Sequence, residues 1–340
     1  MNSPQSIWSD KPMSTGIAAL VCYAGVFNDV IDVEEMASRL GVSGQDEFYA
    51  TVNELHRQNR IIVRDGFVAL PNLDDRISVK AEKIAFTKKL IDSRIDDLRK
   101  LGRNPLIKFV GISGSLAANN PTRDMLGRLD LDVFLITRRH CLWIYRILFG
   151  IRYVFPKNRE EPELCINYLV DEAHLAIPIK NFYTATEIQN LIPVTNASSL
   201  RQFLQANSWV RHYYPRPVDT KTTSSLSQPE STVDKLLYFI FISLRCVKWM
   251  SFKPLKQLSF KSDPHRGESP CASRNPHGGY HALVQKKFDR LAKDWYSDLL
   301  GDDLIEKLFP DELSIEIREG KSDVEAMAQA AIGAPYGKYG

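Results

Sequence analysis

The stretch VGISGSLAANNPTRDMLGRLDLDVFLIT (Val110–Thr137) sets two Val-, Ile-, Leu- and Phe-rich runs on either side of a polar segment. The first run ends in Ser113-Gly114-Ser115, and the second carries Asp130 and Asp132 inside an apolar alternation. Both runs read as strands. Side chains alternate faces along a strand, so the two acids share one face. Two carboxylates about 7 Å apart on one face repel each other, and burying them is costly without a positive partner. A divalent cation resolves the repulsion, and Mg²⁺ takes one or two carboxylates together with phosphate oxygens and water. The Gly114-Ser115 turn offers backbone N–H groups and a hydroxyl where a phosphate can approach closely. The competing reading is an edge strand with a solvated acidic face.

Working outward, strands are expected at Leu106–Ile112, Leu129–Ile136 and Leu164–Val170, with a helix around Cys141–Gly150. Upstream, residues 16–72 read as a small winged-helix unit. Helices are expected at Gly16–Ala24, after the N-cap residue Asp32 to Leu40-Gly41, and at Gln45–Gln58. Ile61-Ile62-Val63, Asp65-Gly66 and Phe67–Leu70 then spell a hairpin. A charged, periodic linking helix covers 79–102. Downstream, helices are expected at Ala185–Leu191, Ser198–Ala206, Val233–Met250 and Tyr280–Leu300, with a long basic loop at Ser251–Gly279 and a Gly-rich tail.

Gly114-Ser115, a spacer of fourteen residues, then Asp130-Leu131-Asp132-Val133 resembles the signature of the DNA polymerase beta-like nucleotidyltransferase superfamily. The wider match, with Leu164–Tyr168 and FYTATEIQNLIPV (Phe182–Val194), is similar to a bacterial group of predicted nucleotidyltransferases with an N-terminal winged-helix-like region. The resemblance implies an α+β fold, with a mixed β-sheet core, an N-terminal winged helix and a helical C-terminal domain. The expected division is 1–72 winged helix, 73–104 linking helix, 105–195 core, 196–310 helical domain and 311–340 tail. It also implies an enzyme that uses an NTP, ATP among them, as substrate and Mg²⁺ as cofactor in a two-metal displacement. Gly114 and Ser115 would hold the triphosphate, and Asp130 and Asp132 the metal. The acceptor would be a small molecule, a protein or RNA. The superfamily usually adds a third carboxylate from a later strand; Asn167 stands at the best-placed position, and an amide is a poor substitute. Glu163 and Asp171 share its strand parity. The alternative is a catalytically degenerate member acting as a regulatory module that binds protein or nucleic acid.

Lys248 is a candidate phosphate ligand, against the plainer reading of a lysine favouring a helix C-terminus. His277 and His281 have helical metal-pair spacing, but Gly278 and Gly279 intervene. Lys253, Lys256, Lys261, Arg266 and Arg274 make the long loop positive. Asn119 and Asn120 read as turn formers. The formal charge of +3 hides an asymmetry: residues 1–72 carry five Lys/Arg against nine Asp/Glu, leaving +7 on the remainder. Asp46 and Glu47 open the winged unit's recognition helix, which argues against DNA binding. Five cysteines without a C-x-x-C spacing suit a reduced, cytoplasmic protein. The apolar runs Leu142–Phe155 and Leu236–Met250 are too short and too charged to span a membrane, and read as buried helices.

Overall fold

The computed structural model describes residues 6–42, 44–122, 129–152, 163–215, 232, 235–240, 243, 268–269, 272–274 and 280–310. The fold is mixed α+β with a mixed sheet. Helix α1 (Met13–Val26) is buried along most of its length, as a helix apolar on nearly every face must be. β1 (Ile31–Asp32) leads into α2 (Val33–Leu40), where the Asp32 carboxylate accepts the Glu35 N–H at 2.9 Å. Gly41 ends α2 in the left-handed region at φ +66, a conformation that suits a helix C-terminus. α3 (Gln45–Arg57) buries Phe48, Val52 and Leu55, as its spacing predicts. β2 (Ile62–Arg64) and β3 (Phe67–Ala69) form the expected hairpin through Asp65-Gly66, both with positive φ. β1 adds to the free side of β3, giving the antiparallel order β1-β3-β2.

The charged segment forms α4 (Asp74–Gly102), and its burial differs from a solvated linker. Lys80 and Lys83 are 5% and 1% exposed. Lys80 Nζ donates to Asp29 Oδ2 at 2.6 Å and to the Asn119 carbonyl at 3.2 Å. Lys83 Nζ donates to Asn120 Oδ1 at 2.8 Å and lies 3.6 Å from Asp29 Oδ1. Asn120 Nδ2 in turn donates to the Phe27 carbonyl at 3.2 Å. Asn119 is a turn former, at φ +51, but Asn120 is an interior partner of a lysine.

The second sheet begins with β4 (Ile107–Ile112), followed by the single turn α5 (Gly114–Ala117) and β5 (Asp130–Thr137). α6 (Leu142–Arg152) carries the chain to β6 (Glu163–Asp171), which runs parallel to β5. α7 (Phe182–Gln189), β7 (Ile192–Pro193) and α8 (Ala197–Ala206) follow. Two short strands, β8 (Glu268–Ser269) and β9 (Ala272–Arg274), come from the segment read as a loop; β9 pairs with β6 and β8 with β9. The order is β7-β4-β5-β6-β9-β8, and every neighbouring pair except β5–β6 is antiparallel.

The two-residue period of β5 divides the interior. Phe134 and Ile136 join Phe109, Val170 and Phe203 in a core continuous with α1, α7 and the N-terminal sheet. Leu131, Val133 and Leu135 face the other way, with Val110, Ile112, Leu98 of α4 and Trp143 of α6. The apolar runs expected to be buried helices expose several of their described side chains. Ile144 and Leu148 on α6, and Leu236, Phe239 and Ile240 on the helical residues 235–240, are exposed. Trp143 and Tyr238 bring these helices together, with ring centroids 5.2 Å apart. No helix among the described residues is long and apolar enough to cross a membrane.

α9 (Tyr280–Tyr296) packs Val284, Phe288, Ala292 and Tyr296 into the first core against α1, and α10 (Asp302–Leu308) closes the described chain. Lys287 of α9 donates to the Val26 carbonyl at the end of α1. Burial, and then Arg290, push its ammonium down to about 8 from 10.5. Between those values the unfolded chain holds more protons than the folded one, so stability rises with pH there. Below pH 8 both states are protonated and the cost of the buried charge persists. From pH 7 to 9 the gain should be about 1 kcal/mol after allowance for partial exposure. Urea melts at both pH values check it: the rise should be smaller in Lys287→Met than in the parent.

Candidate functional site

Where β4 ends, the Ser113 N–H donates to the Asp132 carbonyl at 3.0 Å and ties the start of the turn to β5. Gly114 follows at φ +65, a region costly for residues with a Cβ. A Cβ there would also lie 2.3 Å from Asp132 Oδ2. Glycine is therefore required twice, once for conformation and once for the approach of the carboxylate. The Asn120 N–H returns to the Ser115 carbonyl at 2.9 Å and closes the loop after α5. Gly114→Ala should cost about 2 kcal/mol or more in a urea melt, beyond the 1–2 kcal/mol of the left-handed conformation alone. A change below 0.5 kcal/mol would show that the turn is not held against Asp132.

In β5, Asp130 pairs with Glu163 and Asp132 with Cys165, without irregularity between them. Asp132 is half-buried. The alternation read from the sequence therefore stands, and Gly114 and Asp132 are brought together. Asn167 is the extra residue of a bulge: Ile166 pairs with Val133, Tyr168 with Phe134, and Asn167 with neither. Its amide still reaches the turn, with Nδ2 3.5 Å from Ser113 Oγ. The bulge breaks the parity on which Asp171 was read as a substitute. Asp171 pairs with Thr137, on the opposite face from Asp132, and its Oδ1 accepts the Ala173 N–H at 2.9 Å.

A further acid lies within electrostatic reach of Asp132 on a helix. In Glu187 of α7, burial followed by the charge of Asp132 pushes the carboxyl up to about 7. Arg39 of α2 pulls in the other direction. Two polar contacts anchor α7 itself. Asn181 Oδ1 accepts the Thr184 N–H at 2.8 Å, and Thr186 Oγ1 and the Tyr214 hydroxyl are 2.6 Å apart. Arg39 donates to Asn190 Oδ1 at 2.6 Å, pairs with Glu35, and lies 5.7 Å from the Tyr214 ring centroid. Sequence reasoning passed over Glu187 because it sought the third acid on a strand. Its only sequence signal was its place within FYTATEIQNLIPV.

Lys248, His277, Lys253, Lys256, Lys261 and Arg266 lie outside the described residues; Arg274 closes β9 beside Tyr168, and His281 belongs to α9. Among the described residues no group of three or more His, Cys, Asp or Glu is assembled for a metal ion. Cys22, Cys141 and Cys165 are not in disulfides. Comparison of the chain with protein-family models, curated proteins and solved structures gave no match.

Proposed function

We propose that this chain is an Mg²⁺-dependent nucleotidyltransferase. It transfers a nucleoside monophosphate from an NTP to a hydroxyl or amine acceptor and releases pyrophosphate. The observation that carries this reading is the close approach of the Gly114 turn to Asp132, which leaves no room for a Cβ between them. The six-stranded mixed sheet supports a nucleotidyltransferase core, and the three helices with a three-stranded antiparallel sheet support a winged-helix-like N-terminal unit.

The residues fit the metal. Their carboxylate oxygens are the hard donors that Mg²⁺ prefers, and the upward push of Asp132 on Glu187 marks negative charge that a cation would relieve. Asp130 and Asp132 would hold the ion. When bound, it supplies charge neutralisation at the triphosphate and a lowered pKa at the acceptor. The chain does the positioning. Ser115 offers its hydroxyl and the turn its N–H groups to the phosphates, while the Ser113–Asp132 hydrogen bond fixes the turn relative to the acids. The bond from acceptor to α-phosphorus forms as the bond to pyrophosphate breaks, and the acceptor's proton passes to water.

Melting with NTP plus Mg²⁺ should raise the transition temperature, because a ligand of the native state stabilises it. Pyrophosphate release with candidate acceptors then establishes turnover. No shift with any of the four NTPs would refute the reading. A second reading, a binding module of the same fold without activity, is favoured by the amide at Asn167, whose Nδ2 lies 3.5 Å from Ser113 Oγ where the resemblance implies a carboxylate. It predicts the melting shift without pyrophosphate release.

A further inference from the structure

Buried polar side chains join the end of α1 to the loop behind the Gly114-Ser115 turn. Asp29, Lys80, Lys83 and Asn120 are all buried. Phe27 and Asp29 stand just past the end of α1. Lys80 and Lys83 lie three positions apart on α4 and so share one face. Asn119 and Asn120 follow α5, the single turn that opens at Gly114. The chemistry proposed above uses none of these groups.

Their contacts form a path to the turn. Lys83 Nζ donates to Asn120 Oδ1, Lys80 Nζ to the Asn119 carbonyl, and Asn120 Nδ2 to the Phe27 carbonyl. Along the backbone, the N–H groups of Ala118, Asn119 and Asn120 donate to the carbonyls of Gly114, Leu116 and Ser115 at 3.2, 3.1 and 2.9 Å. Both asparagines gripped from outside are therefore hydrogen-bonded back to the turn. At its other end the turn is tied to β5 by the Ser113–Asp132 hydrogen bond.

We propose that Lys80, Lys83 and Asn120 are positioning residues which, with the end of α1, hold the Gly114-Ser115 turn at the candidate site and make the N-terminal unit a component of that site. The proposal deepens the nucleotidyltransferase reading and rests on it for the consequence to nucleotide binding. The hold on the turn does not depend on it.

Three features of the geometry argue for positioning. First, α5 has four residues, far too few for a helix to hold itself, and left-handed residues stand at both its ends, Gly114 at φ +65 and Asn119 at φ +51. Such a segment keeps its shape only when its surroundings fix it. Second, the bonds from the two lysines are charge-assisted, about twice as strong as neutral ones. Third, the charges exceed what joining two elements requires. The Lys80–Asp29 pair by itself would tie α4 to the N-terminal unit with its charge balanced. Lys83 adds a second buried ammonium, which burial pushes below its ordinary value, and it sits nearer to Asn120 than to Asp29, at 2.8 against 3.6 Å. The second lysine is aimed at the loop. The acidic N-terminal unit thus serves the site from behind, through Asp29 and the Phe27 carbonyl, without meeting nucleic acid.

The test uses the full chain and the variants Asn120→Ala, Asn120→Asp, Lys83→Met and the double variant Lys83→Met/Asn120→Ala. Amide hydrogen exchange is followed without ligand at residues 118–120 and, as a reference for global opening, in the paired strands β4 and β5. NTP·Mg²⁺ binding is measured by titration. Asn120→Ala and Lys83→Met should each speed exchange at 118–120 relative to the strands, and weaken NTP·Mg²⁺ binding, by roughly tenfold, the size expected from one hydrogen bond to a charged group. A group needed only for overall stability would move both sets of amides alike. Asn120→Asp keeps an acceptor for Lys83 and should recover most of both effects. The double variant should be little worse than Asn120→Ala, because each single change removes the same bond. If Asn120→Ala fails to fold, Lys83→Met, which leaves Asp29 paired with Lys80, decides the question. Unchanged exchange at 118–120, equal acceleration in the strands, or fully additive losses in the double variant would overturn the proposal. So would loosened amides in variants that bind NTP·Mg²⁺ as the parent does. If the exchange effects appear but the parent does not bind NTP·Mg²⁺, the positioning of the turn stands and the transferase reading fails.

Discussion

Replacing Asp132 by Asn is expected to abolish Mg²⁺-dependent NTP binding and turnover without destabilising the apo protein. The loss should exceed about a hundredfold, beyond the 10–100-fold that removal of an outer partner of a metal site costs. The volume is conserved, so the Gly114 turn keeps its packing, and the Ser113–Asp132 hydrogen bond uses the backbone carbonyl, which the substitution leaves intact. Removing the charge also relieves the push on Glu187. The apo transition temperature should therefore stay level or rise. An acid kept for structure gives the reverse pattern: normal NTP·Mg²⁺ binding, with stability lost by ~3–5 kcal/mol if it serves a buried ion pair. Melting without ligand and titration with NTP·Mg²⁺ separate the two.

The largest effect on stability is expected from Asp29→Ala. Asp29 is the carboxylate beside two buried ammonium groups, at 2.6 Å from Lys80 and 3.6 Å from Lys83. Breaking a buried pair by removing one member leaves an uncompensated charge and costs ~3–5 kcal/mol. The contacts to Asn119 and Asn120 are neutral oxygens, which satisfy donors but do not cancel charge. Urea denaturation at pH 7 reads the loss. Asp29→Ala combined with Lys80→Met should recover a large part of it, because one of the two stranded charges is gone. Equal losses in the single and double variants would show that charge is not the cause. Asp29 belongs to the N-terminal unit, the lysines to α4, and Asn119 and Asn120 to the loop after Gly114-Ser115. The same substitution should therefore also loosen the candidate site.

Much of the fold was legible because it depends on local pattern. The hairpin through Asp65-Gly66 follows from two residues able to take positive φ. The start of α2 follows from a carboxylate that can accept an N–H of the first turn. The faces of β5 follow from strict alternation, and that alternation is what sets Asp132 apart from Leu131 and Val133. The short strands β8 and β9 were not legible. At two and three residues they carry no period of their own, and the pairing of β9 with β6 and of β8 with β9 defines them.

The candidate site divides along the same line. By itself the sequence determined that a Gly-Ser turn and an Asp-x-Asp strand are present in an order and spacing that allow them to meet. Strand parity, the glycine at a turn and the sign of each charge are properties of neighbouring residues. Only the tertiary structure decided which further acid feels the charge of Asp132. A bulge at Asn167 carries Asp171 to the opposite face, while the packing of α7 delivers Glu187. It decided too that Lys80 and Lys83 are interior, although their segment reads as a solvated charged helix. The physical reason is that burial and electrostatic partnership are set by what lies across space. Arg39 and Asn190 stand far apart in sequence, and no periodicity along the chain records that they meet.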